Sequence, residues 1–397
     1  MHRLAPAFQH YAWGSTTAIP QLLGLPVDAR PVSEAWFGAH PLAPARLDDP
    51  GASTLDAFVA ADPHAVLGDD VVARFGEQLP YLLKLIAAQS PVSLQVHPSL
   101  ARANAGFERE EAAGVPRDAP HRSYRDRNHK PELVFALTRL DAMVGFRAPR
   151  RAAELLAGLE SSLAERLHAL LTADPSPRGV RAAFEWLLAP QTRPDATDVA
   201  ELAAACQRRL DAGSPSPRTD RTVIRLNRHY PGDPGAVTSV LLNPVTLQPG
   251  EVLFVPAGAV HAYLEGFAVE LMANSDNVLR AGLTAKHVDV PELLDNLDTV
   301  AAPPIRIAPE HVFTSTEIFY APVDDFELSV THLDSEVEAR LPGRGPRVVL
   351  CLDGAAHVRG ERDGELELAA GQAAFVPAAD GPLLASGHGR LVQADVP

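Results

Sequence analysis

The sequence predicts a mainly β chain: two jelly-roll β-barrels, with an inserted α-helical domain interrupting the first. Three observations predict it. Residues 250–261 have the form G-x5-P-x-G-x2-H, which reads as a strand, a tight turn and a histidine leading into the next strand, because Gly258 can take positive φ and Pro256 fixes its own φ. The G-x5-P spacing recurs at 371–377. Between the β-like tracts the apolar period changes from strand-like to helical.

Taken in order, the apolar runs from Leu82 to His97, broken by Ser90-Pro91, read as strands and turns, and a second β-like tract covers 132–146. Leu155, Leu159, Leu163, Leu167 and Leu171 then recur every four residues, the pattern of one amphipathic helix. A second helix is expected over 180–188, and a third after an Asp198 N-cap, presenting Val199, Leu202, Cys206 and Leu210. A loop follows at 213–217, and β-like sequence resumes near Ala236. Residues 1–145 plus 225–310 are therefore expected to form the first, discontinuous barrel, 146–224 the helical insertion, and 311–397 the second barrel. Separate domains in series are the alternative, but candidate ligands lie on both sides of the helices. In the second barrel, Ala379 stands where Gly258 would align and Pro382 where His261 would. That copy is read as a degenerate barrel without a metal, and His388 near it as a surface histidine.

Composition narrows the function. At 397 residues the chain is long enough for two or three domains. A net charge of −15 argues against nucleic acid as a partner. Cys206 and Cys351 are the only cysteines and lie far apart, so a disulfide framework or thiolate zinc site is not expected, and a reducing cytoplasm fits. Neither a signal-peptide run nor an 18-residue apolar stretch is present, so no membrane partner is expected.

The chemistry concentrates in a few polar residues. The G-x5-P-x-G-x2-H turn sets His261 at a fixed height in a barrel, as a cupin positions a metal ligand. Gln95 and His97 stand at i and i+2 and so share one strand face. Glu132 opens the apolar run 133–137. Each has an ordinary alternative: Gln95 as a strand-face hydrogen bonder, His97 as a strand terminus before Pro98, Glu132 as a partner of Lys130 or Arg147. Together they describe a divalent-metal site with one carboxylate and three neutral donors, which suits a Lewis acid. Two imidazoles favour zinc over magnesium, and iron or manganese also accept such donors. After the expected strand, residues 270–284 are densely polar. There Arg280 either pairs with Asp276 at i−4 or stabilises negative charge on a reacting oxygen. Lys286 and His287 continue the polar rim.

These residues resemble the type I mannose-6-phosphate isomerases (phosphomannose isomerases), zinc-dependent bicupin enzymes with an inserted helical domain. The matching stretches are Ser93-Leu94-Gln95-Val96-His97-Pro98, Asn128-His129-Lys130-Pro131-Glu132, Tyr230-Pro231-Gly232-Asp233, 250–261 and 270–284, with Gln9-His10-Tyr11-Ala12-Trp13-Gly14 near the start. The resemblance implies one zinc per chain on Gln95, His97, Glu132 and His261, with Arg280 catalytic. It implies interconversion of mannose 6-phosphate and fructose 6-phosphate by proton movement between C1 and C2 through a cis-enediol(ate). Lys130 and Glu270 are the candidate bases. His129 or Asp276 would help open the sugar ring, and Ser93 and Lys286 would hold phosphate. A sugar-phosphate substrate, a cytoplasmic location and a monomer are expected. The competing readings are a metal-dependent cupin oxygenase, disfavoured by Gln95 in place of a histidine, and a non-enzymatic sugar-binding bicupin, disfavoured by the intact ligand set.

Overall fold

Strands Tyr81–Ala88, Glu132–Ala136 and His261–Ala273 are almost entirely buried. This is why they read as apolar runs rather than alternating ones: each has one face inside a barrel and the other against a second sheet. The computed structural model describes residues 1–48, 53–334, 337–361 and 364–397. Its larger sheet runs in the order Ile305–Ile307, Val252–Val255, Glu132–Ala136, His261–Ala273, Tyr81–Ala88, Glu34–Phe37, Ala7–Gln9. The facing wall is built from Leu94–Val96, Leu140–Phe146, Leu242–Leu247 and Leu279–Gly282. The long strand His261–Ala273 serves both walls and shifts register between Tyr263 and Glu265, where it passes from one to the other. The barrel interior is apolar at one end, with Ile86, Val134, Ala136, Leu253 and Ala268.

The second sheet, with ten strands among the described residues, forms the other cupin-like barrel and centres on the long strands Arg347–Gly360 and Leu383–Asp395. Leu83, Leu85, Leu133, Phe135, Val269 and Leu271 pack with Phe326, Leu328, Val330, Phe375 and Val392 in one continuous core. Burial of this scale makes the two barrels one rigid body rather than tethered units. The chain start crosses between them: His2–Ala5 pairs with Ala373–Val376 of the second sheet and with Arg46–Leu47. The sequence reading grouped those residues with the first barrel, since nothing in a four-residue strand tells which sheet edge it will join.

The helices lie mainly between the strands Leu140–Phe146 and Leu242–Leu247. The four-residue leucine period is interrupted: Pro149–Leu156 ends before Gly158 at φ 74°, and Ser162–Ala173 is a new helix. Pro177–Leu188 contains the expected second helix. The third, Ala196–Asp211, is capped by Asp195, with Asp198 completing a reciprocal capping box three residues on. Helix Pro217–His229 and the short helical turns across 235–241 extend the helical region beyond residue 224. The apparent β tract at Ala236 is thus helical: its apolar residues Ala236, Val237, Val240 and Leu241 are buried in the insertion core, and apolar runs alone do not distinguish a buried helix from a strand.

Candidate metal centre

Three strands and one turn bring the polar residues together. Gly258 takes φ 82° and its N–H donates to the His97 carbonyl at 2.9 Å, tying the turn to His97, the residue directly after strand Leu94–Val96. A β-carbon there would lie 3.2 Å from the Asn296 carbonyl oxygen. The next strand begins with His261, directly opposite Gln95, and Gln95 in turn faces Arg280. Glu132 is opposite Val255 and Met272 at the barrel mouth.

His97 Nε2 lies 3.0 Å from Glu132 Oε1, and His261 Nε2 lies 3.4 Å from Glu132 Oε2. One donor atom from each of these three residues falls within 4.8 Å of the others, and all three residues are buried. Both imidazoles have their other nitrogen committed to backbone: Nδ1–H of His97 donates to the Asn277 carbonyl at 2.8 Å, and Nδ1–H of His261 to that of Ala259 at 3.0 Å. Each Nε2 therefore keeps its lone pair turned towards Glu132, the outer-contact pattern of metal-binding histidines. His97 Nε2 is buried without a hydrogen bond of acceptable geometry, a costly arrangement for a polar atom that coordination to a cation would satisfy. Burial, followed by the nearby Lys130 charge, holds the His97 imidazole down to about 4, so no proton competes for Nε2 at neutral pH. Burial alone would raise the Glu132 carboxyl. His97, Lys130 and His261 outweigh it and hold the group well below the usual carboxylate range. Gln95 lines the same cavity, its amide Nε2–H donating to Ser93 Oγ at 3.2 Å, which leaves its carbonyl oxygen as a neutral donor. The donor set fits zinc.

Other predicted residues divide between this cavity and its surroundings. Ser93, Lys130 and Glu270 line it with Glu132 and His261, and Lys130 Nζ is 3.3 Å from Glu132 Oε1. Arg280 Nη1 donates to Ser93 Oγ at 2.9 Å; no ion pair joins it to Asp276. Asp276 instead faces His40, 3.5 Å from Nε2, and burial lowers the His40 imidazole to about 4. Lys286 lies in a neighbouring cavity with Arg193, Asp233 and Thr284, its ammonium 5.7 Å from the centre of the Tyr11 ring. Burial and the Arg280 and Arg125 charges lower its affinity for a proton. His129 turns away to Asp325, 3.0 Å from both carboxylate oxygens.

Sequence reasoning missed Lys84 and Glu34. Lys84 stands opposite Glu270 in the ladder and opposite Trp36 on its other side. Its ammonium is 2.5 Å from Glu270 Oε2, with 5% and 3% of the two side chains exposed. Burial opposes the Lys84 charge, but Glu270, Glu34 and Glu132 outweigh it and keep the lysine protonated. Burial pushes Glu270 up despite Lys84, and Glu132 and Glu34 add to the rise. The available signal was a lysine inside an eight-residue apolar strand, where burial requires a partner. The polar stretch after Glu270 also has a structural part: Asn277 donates to the carbonyls of Asp126 and Asn128 and accepts from Arg125 N–H, locking the backbone that holds His97.

Comparison with known proteins places this geometry. Residues 1–149 match the family model described as phosphomannose isomerase type I, catalytic domain. The chain is 39% identical over 401 residues to mannose-6-phosphate isomerase of Escherichia coli K12, covering 99% of both, and 31% identical to that of Bos taurus, covering 89% and 85%. A crystal structure of a point mutant of phosphomannose isomerase from Salmonella typhimurium superposes with TM-score 0.89 at 36% identity, covering 99% of this chain and 98% of that one. A zinc-bound holo structure of mannose 6-phosphate isomerase gives 0.88 at 37%, with the same coverage. With that likeness running the full length of the chain, it belongs to the type I phosphomannose isomerase family.

Proposed function

We propose that this chain interconverts D-mannose 6-phosphate and D-fructose 6-phosphate, using one zinc ion held by Gln95, His97, Glu132 and His261. The observation that carries the reading is a buried, pre-oriented donor set with an orphaned imidazole nitrogen in a chain whose relatives are mannose-6-phosphate isomerases throughout their length. Bound zinc would supply Lewis acidity towards the carbonyl and hydroxyl oxygens of C1 and C2.

The protein's own groups do the rest. Ser93 Oγ accepts from Arg280 and from Gln95, so the guanidinium is held beside the ligand wall, placed to offset negative charge on the enediolate oxygens. The proton that moves between C1 and C2 is assigned to Lys130 or Glu270, both of which line the cavity. A raised carboxyl such as Glu270 lies nearer the working pH of a base, and Lys130 has its nitrogen beside Glu132. Ser93 and Lys286 are assigned to the phosphate, and His129 or Asp276 to ring opening. The reading includes a monomer in the cytoplasm, and among the described residues no helix is long and apolar enough to cross a membrane. No observation favours an oxygenase or a non-catalytic sugar binder. Stripping the metal with a chelator is expected to abolish interconversion, and adding zinc back to restore it; full activity in metal-free protein would refute the function.

A further inference from the structure

We infer that Arg193, on the inserted helical domain, is a second cationic contact for the substrate's phosphate, so that the insertion completes the binding site and favours phosphorylated over neutral sugars. The assignment deepens the isomerase reading and rests on it.

The metal cavity has a volume of about 40 Å³, enough for an ion and roughly two or three water-sized groups but not for a hexose phosphate. The neighbouring cavity that holds Lys286 measures about 430 Å³, within the range of small-molecule sites. A path of contacts joins the two. Ser93 in the metal cavity accepts from Arg280, and the strand that carries Arg280 ends two residues later at Gly282, on the wall of the second cavity. Two strand residues span about 7 Å, so a sugar with its C1 and C2 oxygens at the metal extends its phosphate end towards Lys286.

The walls of the second cavity come from different domains. Gly282, Thr284 and Lys286 belong to the barrel side, whereas Leu188, Pro190 and Arg193 belong to the end of helix Pro177–Leu188 and the turn after it. That turn is fixed: the N–H groups of Thr192 and Arg193 donate to the Ala189 carbonyl at 3.0 and 2.8 Å, and Thr192 Oγ1 donates to the Trp186 carbonyl at 2.9 Å. Opposite it, Lys286 N–H donates to Thr284 Oγ1 at 3.1 Å. The charge here is unbalanced. Among the described residues no carboxylate forms an ion pair with Arg193 or Lys286. Asp233, which lines the same cavity, commits both oxygens to backbone: Oδ1 accepts from Gly235 N–H at 2.7 Å and Oδ2 from Thr284 N–H at 3.2 Å. Burial and the Arg280 and Arg125 charges already disfavour the proton on Lys286, a repulsion that a bound anion relieves. Two unpaired cations at one cavity run against the field of a chain with net charge −15, and the guanidinium fork matches phosphate geometry. Both residues are exposed, as groups that meet an entering substrate must be.

Full-length, zinc-loaded protein carrying Arg193→Ala or Arg193→Lys tests the assignment, read as kcat and KM for mannose 6-phosphate and as competitive inhibition by inorganic phosphate. Arg166→Ala, at an exposed position on helix Ser162–Ala173 of the same insertion, controls for loss of a positive charge as such. Arg193→Ala should raise KM roughly 10–100-fold, the effect of losing one charged hydrogen bond, and weaken inhibition by phosphate by a similar factor. Its kcat should stay within about threefold of wild type, because the phosphate is held alike in the ground and transition states. Arg193→Lys should recover part of the loss, keeping the charge without the fork. An unchanged KM or unchanged phosphate inhibition in Arg193→Ala, an equal effect in Arg166→Ala, or a loss confined to kcat would overturn the assignment. Wild-type protein without interconversion activity would instead overturn the isomerase reading itself.

Discussion

Replacing Lys84 by methionine tests the electrostatics of the cavity wall. The substitution keeps the length of the side chain and removes the ammonium that pairs with Glu270, 2.5 Å away and almost fully buried. Glu34, Glu132 and Glu270 would then share one cavity with a single fewer cation. Leaving one member of a buried pair alone costs about 3–5 kcal/mol, a large part of the roughly 5–15 kcal/mol that holds a domain together. A Lys84→Met/Glu270→Leu variant is expected to recover at least about half of that loss, because well-packed apolar replacements of buried pairs are often neutral. The pH dependence has a definite sign. With Lys84 gone, the folded-state Glu270 carboxyl rises further above its unfolded value of about 4.3, so the folded state binds the extra proton and stability falls as pH rises. The single variant should thus be penalised more at pH 8 than at pH 5. Urea unfolding of chelator-stripped proteins measures all of this without metal linkage. A single-variant cost below about 1 kcal/mol, or a double variant as unstable as the sum of its singles, would refute the claim that the pair is buried and coupled.

Other consequences are direct. Arg280→Ala should reduce kcat by roughly two orders of magnitude or more while zinc content stays at wild-type level; near-normal turnover would remove the guanidinium from catalysis. Burial pushes the Asp395 carboxyl up to about 7. The stability this group contributes is full below about pH 4 and is lost as pH rises through 7. Asp395→Asn should therefore gain about 2–3 kcal/mol on wild type between pH 5 and pH 8, read from paired urea curves; parallel curves at the two pH values would contradict it. His261→Ala should purify with markedly less zinc, and unchanged metal content would exclude His261 as a ligand.

The grouping of His97, Glu132 and His261 into one candidate metal site was partly legible, because two of its members sit in local patterns: His97 two residues after Gln95, and His261 after a glycine–proline turn whose geometry only a few residue types allow. Lys84 was not legible as a site residue. Its meaning comes from the ladder that sets it against Glu270, 186 residues later, and register across such a distance leaves no trace in spacing. The same holds for His40 against Asp276 and His129 against Asp325. Helix positions were partly legible from leucine periodicity, yet Gly158 split one expected helix, and Asp195 rather than Asp198 took the cap. Both outcomes depend on one-residue choices that periodicity averages over. The short strand His2–Ala5 joined the second barrel because only the folded chain presents it with the edge at Ala373–Val376.

A zinc-edge anomalous difference map of crystals of the zinc-loaded protein bears most directly on the central claim. The account predicts a single strong peak roughly 2.0–2.2 Å from Nε2 of His97, Nε2 of His261, a carboxylate oxygen of Glu132 and the amide oxygen of Gln95. A peak elsewhere, or none at these side chains, would contradict it.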